Sequence, residues 1–412
     1  MNSQIDIAVI GAGPQALTLI THLLQKKQSL RDRIQVFDPS GTWMAQWQQQ
    51  FAAQEIPYLR SPGVHHPDTK ETLFNFADHR QEELYLPYNR PGTQLFHDFC
   101  ETVIDRWQLR NQVTAAQVVQ LTPLTAGFQL QLDNGEQIEA RRVVLATGGG
   151  AAQVPRWVSE VNAHPPGRLC HSQSIDLPDL PNLSGETVLI IGSGQSSAHL
   201  ALGAIKRGAK VLMMARRTLN EKLFDAAPGW LGPKYLKGFQ AEPDWQVRWQ
   251  MIQAARNGGS IAPELLAQLQ RLSRSGQVTF YEQCQVSQAS WQGESWQVQC
   301  NIPTVHDCLA HQLIARIWLA TGTVTDITAH ALMGEVLVQH PNQIVNGLPV
   351  LDEHLRWPGC DLFLMGPWAA LQVGPVARNL HGGRMACDRI VPALTKASLA
   401  RTAIHPIQHP SS

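Results

Sequence analysis

The chain has 412 residues, long for one hydrophobic core, and 43% of them are hydrophobic, so two packed domains are expected rather than disorder. Its 33 Lys and Arg balance 33 Asp and Glu with no block of like charges, which speaks against nucleic acid or an anionic membrane as a partner. Apolar runs are strand-sized, the first residues enter a strand with no basic leader, and the seven cysteines show neither Cys-x-x-Cys nor zinc spacing. A soluble, cytoplasmic protein without a metal site is expected, with homo-oligomerisation left open.

In chain order, Ile5 to Ile10 reads as a buried strand, Gly11-Ala12-Gly13-Pro14-Gln15-Ala16 as a turn, and the following apolar period as a helix. Ile34 to Phe37 is the next parallel strand and ends on Asp38. In such a unit Gly11 makes the tight turn, Gly13 lets the backbone approach a pyrophosphate, and small Ala16 lets helix pack on strand. The helix N-terminus then faces the phosphates, and Asp38 can accept from a ribose. Val118 is assigned to the same cofactor. Between residues 43 and 100 the chain is rich in aromatics and prolines. Here Ser61, His65 and His66 are candidates for active-site roles, and Arg60 for the substrate cavity. A metal on the two histidines is not expected, because neighbours on extended chain point to opposite sides.

Phe128 to Ala140 alternates around Asp133-Asn134-Gly135, a hairpin signal, and runs into a strand that ends in Ala146-Thr147-Gly148. A proline-rich stretch marks a linker. The strand–turn–helix–strand pattern then repeats from Thr187, with Gly192-Ser193-Gly194-Gln195-Ser196-Ser197-Ala198 as its turn. Its second strand ends on Arg216 and Arg217 where the first unit has Asp38, and guanidinium groups pair with the 2′-phosphate of NADPH as a carboxylate cannot. Leu223 to Phe239, with Trp230, Lys234, Tyr235 and Lys237, is expected to be either a pocket-shaping lid or a packed surface loop. A second strand ends in Ala320-Thr321-Gly322. The last unit is a strand to Gly366, then Pro367-Trp368, then a helix from about Val376 with Pro375 at its first position after Gly374. Such a helix start commonly faces an anionic group.

This order of turns resembles the two-dinucleotide-binding flavoproteins. Within them, Gly41-Thr42-Trp43 with Trp47, Gly167 with His171, and the turn carrying Gln195 resemble the class B flavin monooxygenases, especially the lysine and ornithine N-hydroxylases of siderophore pathways. The resemblance implies an α/β fold with two Rossmann-like domains. An NADPH domain over residues 156–323 would be inserted in a discontinuous FAD domain of residues 1–155 and 324–412. It implies FAD and NADPH as cofactors, Trp43, Trp47 and Trp368 near the flavin with the helix start after Gly374 at its pyrimidine edge, and His171 and Gln195 near NADPH, Gln195 being also a candidate for an active-site role. The implied activity is oxygenation of a nucleophilic N or S of a small molecule by O₂ through a peroxyflavin. Ser61 stands where many relatives carry an active-site Asn. A reductase or oxidase serving a quinone, a protein or O₂, and a non-catalytic flavin sensor, remain alternatives.

Overall fold

The computed structural model describes residues 5–68, 70, 72–148, 150–256 and 258–396. Strand β1 (Ile5–Ile10) leads through the first glycine turn into helix α1 (Pro14–Lys26). Leu17, Ile20, Leu23 and Leu24 recur on the buried face of α1 at helical spacing, which is why this stretch coils against the sheet. Strand β2 (Ile34–Asp38) returns parallel to β1, with Val36 beside Val9. Helices α2 (Ala45–Ala53) and α3 (Thr93–Arg106) precede β3 (Val113–Ala115), which joins the free side of β2. Strands β4 (Val118–Leu124), β5 (Gly127–Leu132) and β6 (Gln137–Leu145) form an antiparallel meander, with Asp133–Gly135 in the turn as the Asp-Asn-Gly signal requires. Strand β6 is shared: its start pairs with β5, and it runs parallel to β1, with Leu145 beside Ile10.

The chain leaves this sheet through β7 (Ala151–Ala152) and reaches β8 (Leu169–His171). A second unit follows: β9 (Thr187–Ile191), α4 (Gln195–Lys206) and β10 (Lys210–Met214). Helices α5 (Pro233–Ala241), α6 (Trp245–Arg256) and α7 (Pro263–Arg274) precede β11 (Val278–Tyr281). Strands β12 (Val286–Trp291), β13 (Trp296–Cys300) and β14 (Ile314–Leu319) close the second sheet. The chain returns through β15 (Thr323–Val324), which pairs antiparallel with β7. It then adds β16 (Leu362–Leu364) to the first sheet and ends in α8 (Leu380–Thr395).

The two sheets follow one plan. The first has the order β3-β2-β1-β6-β5-β4 with β16 laid on β6, and the second β11-β10-β9-β14-β13-β12 with β8 laid on β14. In each, parallel strands carry the crossover helices and a short antiparallel meander hangs from the fourth strand.

Two sequence expectations change here. Ala226, Trp230, Leu236, Phe239 and Ile252 belong to the core of the first sheet, not the second, so the boundary drawn at 156–323 does not separate the two cores. Leu223 to Phe239 is packed structure at one end and cleft wall at the other: Trp230 is buried against Phe239, Lys234 and Lys237 stay at the surface, and Asp225 lines the cleft. The last helix begins at Leu380 rather than near Val376. Gly374 adopts φ +96°, Pro375 to Arg378 form a turn, and Asn379 caps the helix by accepting from the Gly382 N–H at 2.9 Å. Pro375 therefore does not open a helix.

Candidate active site

The two glycine turns are built alike, atom for atom. The Gly11 N–H donates to the Phe37 carbonyl at 2.8 Å and the Gly192 N–H to the Met214 carbonyl at 2.9 Å. Ala146 is held to the end of β1 and Ala320 to the end of β9 by N–H donation at 2.9 and 2.8 Å. Gly11 (φ +101°) and Gly192 (φ +154°) face those alanines so closely that a Cβ would lie 2.8 Å and 2.2 Å from the Ala146 and Ala320 carbonyl oxygens. Gly13 and Gly194 differ: an added Cβ would meet nothing within 4 Å. No protein neighbour forces glycine at those two positions, and the open space lies where a helix N-terminus begins. Neither α1 nor α4 has a side chain capping its first turn or an acidic residue in it. An open cradle at an uncapped helix start fits a dinucleotide diphosphate.

Around the first turn, Asp38 accepts from the Ala12 N–H at 3.0 Å and from Ser40, which fixes its carboxylate at the mouth of the turn. Pro14 opens α1, and Ala16 is fully buried. Gln15 points elsewhere: its amide donates to the carbonyls of Ala377 and Asn379 at 3.0 and 3.3 Å, tying α1 to the C-terminal turn beside Gly366 and Val376. Val118 is buried at the start of β4. Of the tryptophans assigned to the flavin, Trp43 is buried with its indole N–H donating to Leu109, and Trp47 stacks on Phe51. Trp368 is 3% exposed and edge-on to His330, and among the described residues its indole N–H has no acceptor. His330 in turn lies 3.5 Å from the Thr147 hydroxyl, beside Gly148 (φ +73°). A buried donor without an acceptor, set beside the Ala146-Thr147-Gly148 turn, fits the polar edge of a bound flavin.

Around the second turn, Arg216 and Arg217 line a pocket of about 540 Å³ with Ser193, Thr218, Asn220 and Gln283. The Asn220 amide nitrogen there is buried without an acceptor among the described residues, so the pocket holds guanidinium groups and an amide donor, the donor set a phosphate needs. Ser196 lines the adjoining cleft, while Ser197 is buried with its hydroxyl on the Gly194 carbonyl at 2.6 Å. Gln195 also faces the cleft, but its carbonyl oxygen accepts from the Ala262 N–H at 3.0 Å and is held there. His171 bonds the Gly322 carbonyl at 3.0 Å and so braces the turn after β14.

The cleft measures about 1090 Å³ and runs from Gly192–Ser196 and Arg216 to Pro367, Ala370 and Pro375 of the C-terminal segment. Arg60 lines it; Ser61, His65 and His66 do not. His65 bonds Ser61 at 3.2 Å and packs on His381, and His66 packs on Phe99. The two rings face different neighbours. Burial, aided by His381 and Arg384, pulls His65 down to about 4, and burial with Arg384 does the same to His66. Both rings are neutral at pH 7, so they lack the cationic form of a general acid. Asn220, Asp225, Arg256 and Arg378, which line these cavities, come from separate stretches with no motif of their own, and sequence reading passed them over.

Residues 8–150 match the FAD-NAD(P)-binding family. A trimethylamine monooxygenase of Pelagibacter sp. (strain HTCC7211) is 24% identical over 233 residues, which is 51% of this chain and 50% of that protein. The chain thus aligns with about half the length of that curated relative. The ornithine hydroxylase of Pseudomonas aeruginosa superposes with a TM-score of 0.76 at 15% identity, over 95% of this chain and 98% of that one. A cadaverine monooxygenase of Erwinia amylovora, solved with FAD, gives a TM-score of 0.76 at 14% identity, over 100% and 99%. An FAD-NAD(P)-binding region at residues 8–150, a second glycine turn of the same build and near full-length superposition identify the architecture: the chain has the fold of the FAD- and NADPH-binding flavoprotein monooxygenases.

Proposed function

We propose that the protein is an NADPH-dependent FAD monooxygenase that adds one oxygen atom of O₂ to a nucleophilic nitrogen or sulfur of a small molecule. One observation carries the reading. A single cleft connects the Arg216–Arg217 phosphate pocket to the Pro367–Ala377 segment of the first domain, so a dinucleotide held by the second turn reaches the FAD side. FAD, when bound, supplies hydride acceptance and oxygen activation. The chain supplies the rest. Gly11, Gly13 and Asp38 hold FAD, with Trp368 donating to it. Gly192, Gly194 and Ser196 hold the NADPH diphosphate, and Arg216, Arg217 and Asn220 hold its 2′-phosphate. Buried Trp43 and Trp368 keep water from the flavin side.

The relatives named above are oxygenases of amines by their names, which supports the nucleophile assigned here. A disulfide reductase needs a thiol at the reacting end, and among the described residues none of the seven cysteines lines the cleft. The test is a screen of small amines and thiols with FAD-loaded protein, NADPH and O₂. The expected result is a product heavier by one oxygen atom, with ¹⁸O₂ labelling it. NADPH consumption that yields only hydrogen peroxide for every candidate would favour an oxidase.

A further inference from the structure

Gln195 opens α4 at the nucleotide cradle, yet both ends of its amide are spent on the protein. The carbonyl oxygen accepts from the Ala262 N–H at 3.0 Å, and the amide nitrogen lies 3.4 Å from His199 Nε2, one turn further along the helix. His199 is buried, and burial pulls it down to about 4, so its ring is neutral at pH 7. A neutral imidazole keeps one unprotonated nitrogen, and donation from the Gln195 amide places it at Nε2. With the amide nitrogen committed to His199, the carbonyl oxygen is left for Ala262. The orientation of Gln195 is therefore set from both sides.

What Gln195 holds is the segment of residues 258–262. The Ile261 N–H donates to the Asn220 carbonyl at 2.9 Å, and its carbonyl accepts from the Lys222 N–H at 3.1 Å. Arg60 donates to the Ser260 carbonyl at 3.1 Å and to its hydroxyl at 2.9 Å. These bonds tie the segment to the loop after β10 and to the first domain, and Gln195 adds the tie to α4. Two glycines then bring the backbone up to the cradle. Gly258 (φ +69°) passes so near Arg217 that a Cβ would lie 3.1 Å from Nη1. Gly259 (φ +102°) faces Gly194, whose Cα would be 3.4 Å from such a Cβ. Gly259 lines both the Arg216–Arg217 pocket and the cleft at the α4 turn. In NADPH, the atoms that join a 2′-phosphate in the one to a diphosphate in the other are those of the adenosine ribose, so Gly259 stands beside that ribose.

We propose that Gln195 is a positioning residue for the dinucleotide: it holds residues 258–262 against the α4 turn as a second wall of the site, and that wall grips the ribose–diphosphate link common to NADPH and NADH. This rests on the placement of NADPH at the second glycine turn given above. It assigns Gln195 no contact with the substrate or the reacting atoms. It also divides the labour of binding. Arg216 and Arg217 read the 2′-phosphate, whereas Gln195 sets how tightly either dinucleotide is held, because a wall fixed beforehand need not be ordered when the ligand arrives.

Calorimetric titration of NADP⁺ and NAD⁺ into FAD-loaded protein tests it. Gln195→Leu keeps the bulk and removes the acceptor for Ala262. It is expected to weaken both nucleotides by one factor, about threefold to tenfold, the loss that goes with one neutral hydrogen bond, and to leave their affinity ratio unchanged. Arg216→Ala is the contrast, since it changes the ratio. Hydrogen exchange at residues 258–262 is expected to quicken in nucleotide-free Gln195→Leu and to slow in the wild-type protein when NADP⁺ binds. His199 supplies a rescue pair: His199→Gln keeps an acceptor for the Gln195 amide and is expected to bind both nucleotides as the wild type does, while His199→Leu follows Gln195→Leu. Gly259→Val crowds the link without touching Gln195 and is expected to weaken both nucleotides, so a folding failure of one variant leaves another decisive. Intact binding of both nucleotides by Gln195→Leu, or a loss confined to NADP⁺, overturns the proposal. Intact binding with a fall in kcat alone also overturns it, by giving Gln195 to the reacting groups. Failure of the wild-type protein to bind either nucleotide is a separate result, which overturns the dinucleotide reading itself and the second wall with it.

Discussion

Gly11 and Gly13 sit two residues apart and answer to different constraints, so they separate folding from binding. Gly11 needs a positive φ and has a carbonyl 2.8 Å from where its Cβ would be. Gly11→Ala is expected to destabilise the protein by about 1–3 kcal/mol, seen as a lower urea midpoint. Gly13 has open space before it, so Gly13→Ala is expected to keep the fold and lose FAD on gel filtration. Equal stability of both variants would contradict the close approach of the Ala146 carbonyl to Gly11. At the second turn, Arg216→Ala is expected to weaken NADPH by about 1.5–3 kcal/mol, roughly tenfold to hundredfold, and to leave NADH nearly unchanged. Fluorescence titration of both nucleotides checks this. The buried histidines set a pH effect. His65 and His66 are held near 4 in the fold against 6.5 unfolded, so the unfolded chain binds more protons between those values. Their contribution is complete above about pH 6.5 and is lost as pH falls toward 4, so urea stability at pH 5 is expected below that at pH 7. Replacing His66 by Gln, which cannot be protonated, is expected to flatten that slope.

At the scale of elements, what was legible were units whose signal is local. Both strand–turn–helix–strand units and the Asp133–Gly135 hairpin announce themselves within about a dozen residues, through apolar period and glycine spacing. The start of α8 was misread because Pro375 satisfies a first-turn preference in isolation. The signal that decided it is Asn379, whose side chain reaches the N–H three residues on, while Gly374 turns the chain away first. Contacts between elements gave no such signal. Arg90, 2% exposed, donates to Glu264 of α7 at 2.5 Å, and Tyr58 donates to the same carboxylate at 2.9 Å, so the loop before α3 is latched to the second sheet's helices. Glu264→Ala leaves both donors without their acceptor. It is expected to cost about 1.5–3 kcal/mol, measured by calorimetric melting with Tyr58→Phe as the milder control.

At the scale of the whole molecule, the repeat of one sheet plan was readable because each copy opens on its own glycine turn. The cleft between the copies was not, since Arg60, Asp225, Arg256 and Arg378 lie in four distant stretches that only the packed fold brings together. The same packing explains why the sequence boundary at 156–323 failed to separate the cores: α5 and α6 lie within the second unit in sequence but bury Leu236, Phe239 and Ile252 under the first sheet. A saturating NADP⁺ concentration is expected to raise unfolding stability by about 2.7 kcal/mol at a hundred times its Kd, and the absence of any shift would count against the cleft as its site.

The pairing of β7 with β15 makes the outgoing and returning chain a single two-stranded ribbon. Taken alone, a ribbon is a pivot. The buried faces of α5 and α6 add a second anchorage away from it, and the Arg90–Glu264 latch adds a third. A body held at three separated points has no axis left to swing about. The inserted unit is therefore expected to stay clamped through the catalytic cycle, so that substrates enter by local side-chain and loop movement and the radius of gyration in solution scattering is the same with and without NADP⁺.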